Sequence, residues 1–187
     1  YETYKKLAGA TLGKVKADLV FKNCKVVDVF TGEIVESAIA VKDGIILGVS
    51  KSYRGKKEID LKGAYIAPGF IDAHSHNDWF AVKKAPQKYF EPFIRQGITS
   101  FITGNCGLSA VGFDSDSPYA DKVGGGLFSF QDTTGVYPTV SEFFDAIDGN
   151  TPCNIAVLAG HCSARASVAG YANRPLTEKE HKQMLDI

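Results

Sequence analysis

The stretch Pro68-Gly69-Phe70-Ile71-Asp72-Ala73-His74-Ser75-His76 decides how the rest of the chain is read. An apolar strand runs directly into two histidines separated by one residue. On an extended backbone, residues i and i+2 point to the same side, so His74 and His76 can face one metal ion from the C-terminal end of a strand. That is the end where (β/α) barrels place their active sites. The alternative is that the two histidines are ordinary polar residues of a loop and ligate nothing.

Downstream, the pattern repeats. A helix is expected around Ala85 to Gln96, then a strand Thr99 to Gly104, then a Gly- and Ser-rich loop from about Gly107 to Gly135. A helical run Ser141-Glu142-Phe143-Phe144-Asp145-Ala146-Ile147, a strand Asn154 to Gly160 and a capped helix opening at Thr177 follow. Three apolar strands, each trailed by loop and helix, predict an α/β fold with a parallel sheet buried on both faces. They read as the first three units of a (β/α)8 TIM-like barrel occupying residues 67–187. A whole barrel takes roughly 250 residues, and the last helix stops at Ile187 without a C-terminal cap signal, so the barrel is expected to be truncated. Starting at Tyr1 and not Met, the chain also reads as trimmed at its front.

Upstream, residues 1–66 read as a small β domain with an N-terminal helix or arm over residues 1–16. Short β-branched runs begin at Asp18, Cys24, Ile34 and Ile45, with Thr31-Gly32 and Asp43-Gly44 between them. An Asp-Gly pair flanked by apolar runs is a strong hairpin signal. A small antiparallel β-sheet, part of a β-sandwich, is expected.

Composition narrows the function classes. Hydrophobic residues make up 44% and charged residues 22% of the 187, an ordinary globular balance that argues against a disordered or fibrous chain. Lys plus Arg and Asp plus Glu number 21 each, and no basic stripe is present to track phosphates, so nucleic acid is a poor partner. No apolar run approaches the roughly 18 to 20 residues of a membrane helix, and no secretory signal opens the chain; a cytoplasmic location is expected. The scattered Cys24, Cys106, Cys153 and Cys162 then read as reduced thiols or metal ligands in preference to a disulfide framework.

Two further positions carry chemistry. Cys106, in Thr103-Gly104-Asn105-Cys106-Gly107-Leu108-Ser109, follows the second strand and offers a soft anionic ligand suited to zinc at the same end of the sheet as the histidines. His161 follows the third strand after Gly160, with Arg165 four residues on, and the two are candidates for binding substrate. A structural loop histidine is the competing explanation for His161. Cys24, Cys153, Cys162 and His181 are assigned no role. Gly124-Gly125-Gly126 lacks the strand and Lys-Ser/Thr of a phosphate loop and reads as a connector.

Taken together, the Pro68 to His76 stretch, Gln96-Gly97-Ile98-Thr99-Ser100, Gly104-Asn105-Cys106-Gly107-Leu108-Ser109 and Gly160-His161 closely resemble the N-acyl-D-amino-acid deacylases of the amidohydrolase superfamily, over residues 17–187. The first stretch is common to the superfamily, including adenine deaminases, dihydroorotases and hydantoinases; the Gly-Asn-Cys-Gly stretch is far more specific to the D-aminoacylase branch. The resemblance implies zinc-dependent hydrolysis of the amide bond of N-acyl-D-amino acids, with one or two zinc ions and a small N-acylated amino acid as the molecular partner. It implies that His74 and His76 share one metal position and that Cys106 is a zinc ligand in place of the carboxylated lysine of relatives.

Two more histidines and the catalytic, metal-binding Asp are implied to come from later strands outside this chain. Asp72 and Asp78 are not promoted in its place, and the chain alone is expected to be inactive. It is also expected to pair with a missing C-terminal part or a second copy, because a half-barrel exposes a sheet edge. Departures from the family lie in the loop Phe113 to Tyr137 and in Gly160-His161-Cys162-Ser163-Ala164-Arg165. The segment Ala17 to Ile34 by itself looks like the start of an adenine deaminase, although those enzymes usually carry a Glu-containing stretch where this chain has Asn77-Asp78-Trp79. The rival expectations are an adenine deaminase or cyclic-amide hydrolase, and a metal-free relative serving as a binding or scaffold protein.

Overall fold

The computed structural model describes residues 2–114, 116–119 and 137–187. The Gly124-Gly125-Gly126 connector lies outside the described residues. The chain divides into two compact units, one running to Pro68 and the other from Gly69 to Ile187.

The first unit opens with helix α1 (Glu2–Thr11), followed by β1 (Ala17–Val27), β2 (Ile34–Lys42), β3 (Ile45–Val49), β4 (Gly55–Asp60) and β5 (Tyr65–Ile66). The runs at Asp18 and Cys24 belong to one long strand. Its register against β2 shifts between Phe21 and Cys24, around Asn23 at φ 52°, so a bulge joins the two runs. Asp43 and Gly44, both at positive φ (50° and 76°), turn β2 into β3 as the Asp-Gly pair predicts.

The sheet as a whole is mixed, which corrects the antiparallel expectation. Its order is β3-β2-β1-β4, with β5 also on β1. Strands β1 to β3 alternate direction, but β4 and β5 run parallel to β1. The reason is topological: β3 already runs with β1, and the chain crosses to the far side of β1 before β4 begins, with no hairpin to reverse it. Val20, Ala38, Ala40 and Tyr53 form one core cluster and Cys24, Val26 and Ile39 another.

The second unit holds β6 (Phe70–Asp72), α2 (Asp78–Ala81), α3 (Gln87–Ile94), β7 (Ile98–Thr103), a single 3-10 turn (Asn105–Gly107), α4 (Val140–Ile147), β8 (Asn154–Val157), α5 (His161–Ala169) and α6 (Glu178–Leu185). Its three strands form a parallel sheet in the order β6-β7-β8. Strand alternation sends Phe101 toward the helices, where it meets Phe90 and Phe93 of α3 edge-on at ring separations of 5.5 and 5.4 Å. Trp79, Phe90, Phe101, Phe113, Phe143 and Ile147 are buried in this core. Helices α4 and α6 each start on a capping box, Thr139 with Glu142 and Thr177 with Glu180.

Burial of this sheet on both faces is not observed among the described residues. Ile71 is 67% exposed, and Asn154 and Ala156, on the same face, are exposed too. Only the face carrying Phe101 and Thr103 is packed. No helix among the described residues is long and apolar enough to cross a membrane.

Candidate metal centre

The histidine pair lies beyond the end of β6, in the loop that leaves it, so strand alternation does not place it. Two hydrogen bonds do. The His74 N–H donates to Asp72 Oδ1 (3.1 Å), bending the chain off the strand, and the Ser75 N–H donates to the carbonyl of Ile102 (3.1 Å), extending the pairing with β7 by one rung. The Asn77 N–H then donates to Ser75 Oγ (3.0 Å) and leads into α2. The two imidazoles stand nearly perpendicular, with centroids 6.0 Å apart.

Cys106 arrives from the end of β7. Gly104, at φ 77°, reverses the chain, and Cys106 itself sits in the left-handed region at φ 57°, ψ 17°. A side chain at position 104 would put its Cβ 2.1 Å from the carbonyl oxygen of Leu158, so the segment leaving β8 admits only glycine there. The same holds at Gly160, whose Cβ would come within 2.4 Å of the Gly107 oxygen. Close packing of these two loops against each other is what the Gly-Asn-Cys-Gly stretch accomplishes.

His74 Nε2 lies 3.2 Å from Cys106 Sγ. One ligand atom from each of His74, His76 and Cys106 falls within 4.8 Å of the others. Around a tetrahedral zinc, with Zn–N of about 2.0–2.1 Å and Zn–S of about 2.3 Å, neighbouring ligand atoms sit roughly 3.3–3.8 Å apart. Two imidazoles and a thiol at this spacing therefore fit such an ion with small adjustments. His74 and Cys106 are exposed and His76 is half-buried, so a fourth position would be reachable by water or substrate, as catalytic zinc sites require.

His161 opens α5, directly beside this turn, but its ring is not part of the three-residue cluster. A buried lattice ties the two loops together. The Ser109 N–H donates to Ser163 Oγ, the Ser163 hydroxyl donates to the Ser109 carbonyl, and the Gly160 N–H donates to Ser109 Oγ, each at 2.9 Å. Arg165 Nη2 donates to the carbonyls of Ala172 (3.0 Å) and Arg174 (2.6 Å), pinning the loop after α5. All four cysteine thiols are free.

Four supporting residues were not visible as such in the sequence. Asp78, fully buried, accepts the Ala110 N–H (2.7 Å), and burial pushes its carboxyl up to about 6. Asn105 reaches back to the histidine loop, and Ser109 and Ser163 form the lattice above. Asn105, Ser109 and Ser163 stood inside stretches that already drew notice, though not for these bonds, and Asp78 was visible only as an acid beside the histidines.

The sequence model of the amidohydrolase family matches residues 57–187. The chain belongs to the amidohydrolase family. An adenine deaminase of Desulfitobacterium hafniense (strain Y51) is 46% identical to this amidohydrolase chain over 98 residues, which is 52% of the chain and 17% of the deaminase. Among solved structures, an N-acyl-D-glutamate deacylase of Bordetella bronchiseptica, complexed with zinc and a phosphonate inhibitor, matches with a TM-score of 0.74 and 27% identity, covering 92% of this chain and 35% of that one. A D-aminoacylase matches with a TM-score of 0.74 and 26% identity, covering 91% of this chain and 35% of its own. The amidohydrolase chain thus spans well under half the length of each of these relatives.

Proposed function

We propose that this amidohydrolase chain carries one side of a zinc site that hydrolyses the amide bond of N-acyl-D-amino acids, with His74, His76 and Cys106 as metal ligands. The observation that carries the proposal is the convergence of a thiol on two imidazoles, with Sγ and Nε2 3.2 Å apart. A cysteine at this position is the mark by which the sequence resembles D-aminoacylases. The match to a zinc-bound deacylase over 92% of the chain supports the same branch.

In this proposal β6, β7 and β8 are the first three strands of a (β/α)8 barrel. The exposed sheet face that includes Ile71 and Ala156 becomes its interior, and the candidate ligands stand at the C-terminal strand ends, where barrel active sites lie. Zinc held there would polarise the scissile carbonyl and bring the pKa of a bound water from about 15.7 toward 7. His74, His76 and Cys106 fix that ion, and His161, at the start of α5, faces the acyl-amino acid. The proton donor to the leaving amine is not assigned to Asp78, whose carboxylate is enclosed and occupied by the Ala110 N–H.

A second reading, an adenine deaminase, is favoured by the 46% identity over 98 residues. It calls for the same ligands with a different pocket. Zinc analysis of the purified chain and of Cys106→Ala comes first: stoichiometric zinc in the former only is expected, and a metal-free chain would point to a scaffold. Turnover of N-acetyl-D-amino acids against adenine, on this chain and on a longer protein containing it, separates the two enzymes. Turnover of adenine alone would reject the deacylase.

A further inference from the structure

We infer that Asn105 is the positioning residue of this centre: its side-chain amide sets the distance between the cysteine turn and the histidine loop. The inference rests on the metal-site reading above. Asn105 Nδ2 donates to two carbonyls, that of Ser75 (3.3 Å) and that of Ile102 (2.9 Å). Ser75 is the residue between the two histidines, and Ile102 lies in the strand that leads to Cys106. The Ile102 carbonyl also accepts the Ser75 N–H (3.1 Å), so one amide closes a small ring of bonds joining both ligand-bearing segments.

The other ties of this region act elsewhere. Gly104 and Gly160 seat the turn against the segment leaving β8, the Ser109–Ser163 pair fixes it to α5, and the Asp78 carboxyl, bonded to the backbone N–H groups of Ala110 and Gly104, holds it to the start of α2. Among the described residues, it is the Asn105 side chain that ties the turn to the backbone between His74 and His76. Cys106 meanwhile holds a left-handed backbone conformation that non-glycine residues adopt only when their surroundings enforce it. Asparagine meets the demand because its amide nitrogen carries two hydrogens on a short arm: aspartate has no donor, and serine does not reach. The preceding residue thus orients the sulfur, an outer-shell role that typically changes metal affinity by about 10- to 100-fold when removed.

Cobalt(II) titration of the chain tests this with a readout independent of turnover. The unmodified chain is expected to show visible d–d bands together with a near-ultraviolet thiolate-to-cobalt charge-transfer band, the latter absent in Cys106→Ser. In Asn105→Ala the charge-transfer band should be lost or strongly reduced and cobalt affinity should fall about 10- to 100-fold, with far-ultraviolet circular dichroism unchanged. An unaltered band and affinity in that variant would overturn the inference. Should Asn105→Ala lose its fold, the near-isosteric Asn105→Asp, which lacks the donors, is judged by the same band. Absence of the band from the unmodified chain is a different failure, that of the metal-site reading itself.

Discussion

His74 Nε2 and Cys106 Sγ stand 3.2 Å apart although 32 positions separate them in the chain. The parallel pairing of β6 with β7 sets two strand ends side by side, and the Ser75 rung to Ile102 carries the histidine loop one step further along β7. The cysteine turn then doubles back at Gly104 to meet it. Proximity of the two side chains is therefore a product of the sheet register and of two loop geometries.

Removing the sulfur should act on metal binding and leave the fold intact. Cys106 is exposed and belongs to no core cluster, so Cys106→Ala is expected to melt within a degree or two of the parent when both are metal-free. Its zinc affinity should fall by more than the roughly 10- to 100-fold typical of an outer-shell loss. Competition with a chromogenic chelator measures this, and equal affinities would contradict ligation by Cys106.

Gly104→Ala should do the reverse and damage the fold. The residue sits at φ 77°, where a non-glycine side chain costs about 1–3 kcal/mol. Its new Cβ would also lie 2.1 Å from the Leu158 oxygen, which is backbone and cannot swing aside. The expected result is a loss of stability above that range and a displaced Cys106, read by urea denaturation and by zinc content together.

Phe101→Ala probes the core that holds the strand ends in place. Phe101 is 1% exposed and lies between the rings of Phe90 and Phe93. Truncating a buried phenylalanine costs about 3–5 kcal/mol, a large part of the roughly 5–15 kcal/mol that stabilises a typical domain. Denaturant titration followed by the near-ultraviolet signal of Trp79, a member of the same cluster, should show the midpoint collapse.

Sequence patterns made the strands and the His74, His76 and Cys106 grouping legible because each is written locally. Apolar runs, the Asp43-Gly44 turn and the Thr177 cap act on their immediate neighbours, and the structure places elements at all of them. The antiparallel expectation failed at β4 and β5 because the direction of a strand after a crossover depends on which edge of β1 is free, which no local pattern records. The bonds of Arg165 Nη2 to the Ala172 and Arg174 carbonyls were not legible either, because those partners are set by the path of a loop. Asn105, Asp78 and the Ser109–Ser163 pair escaped for the same reason: their function lies in bonds to backbone atoms of distant segments.

Glu180 gives the acid limb of stability a definite sign. Its carboxylate accepts hydrogen bonds from the Arg174 guanidinium and from the Thr177 N–H at the start of α6. These partners, Arg174 foremost, lower its pKa from the ordinary 4.5 to about 2. Because the folded-state value is depressed, the carboxylate's contribution is fully present above pH 4.5 and is lost progressively as pH falls through about 2. Glu180→Gln keeps an acceptor for the helix cap but removes the charge facing Arg174, so it should be less stable than the parent at pH 7 and approach it as the pH drops toward 2. Since the pair lies near the surface, raising the salt concentration should narrow the gap at neutral pH. Thermal melts of both proteins at pH 7, 4 and 2.5 measure the trend, and a gap that failed to narrow on acidification would show that the charge facing Arg174 is not what Glu180 supplies.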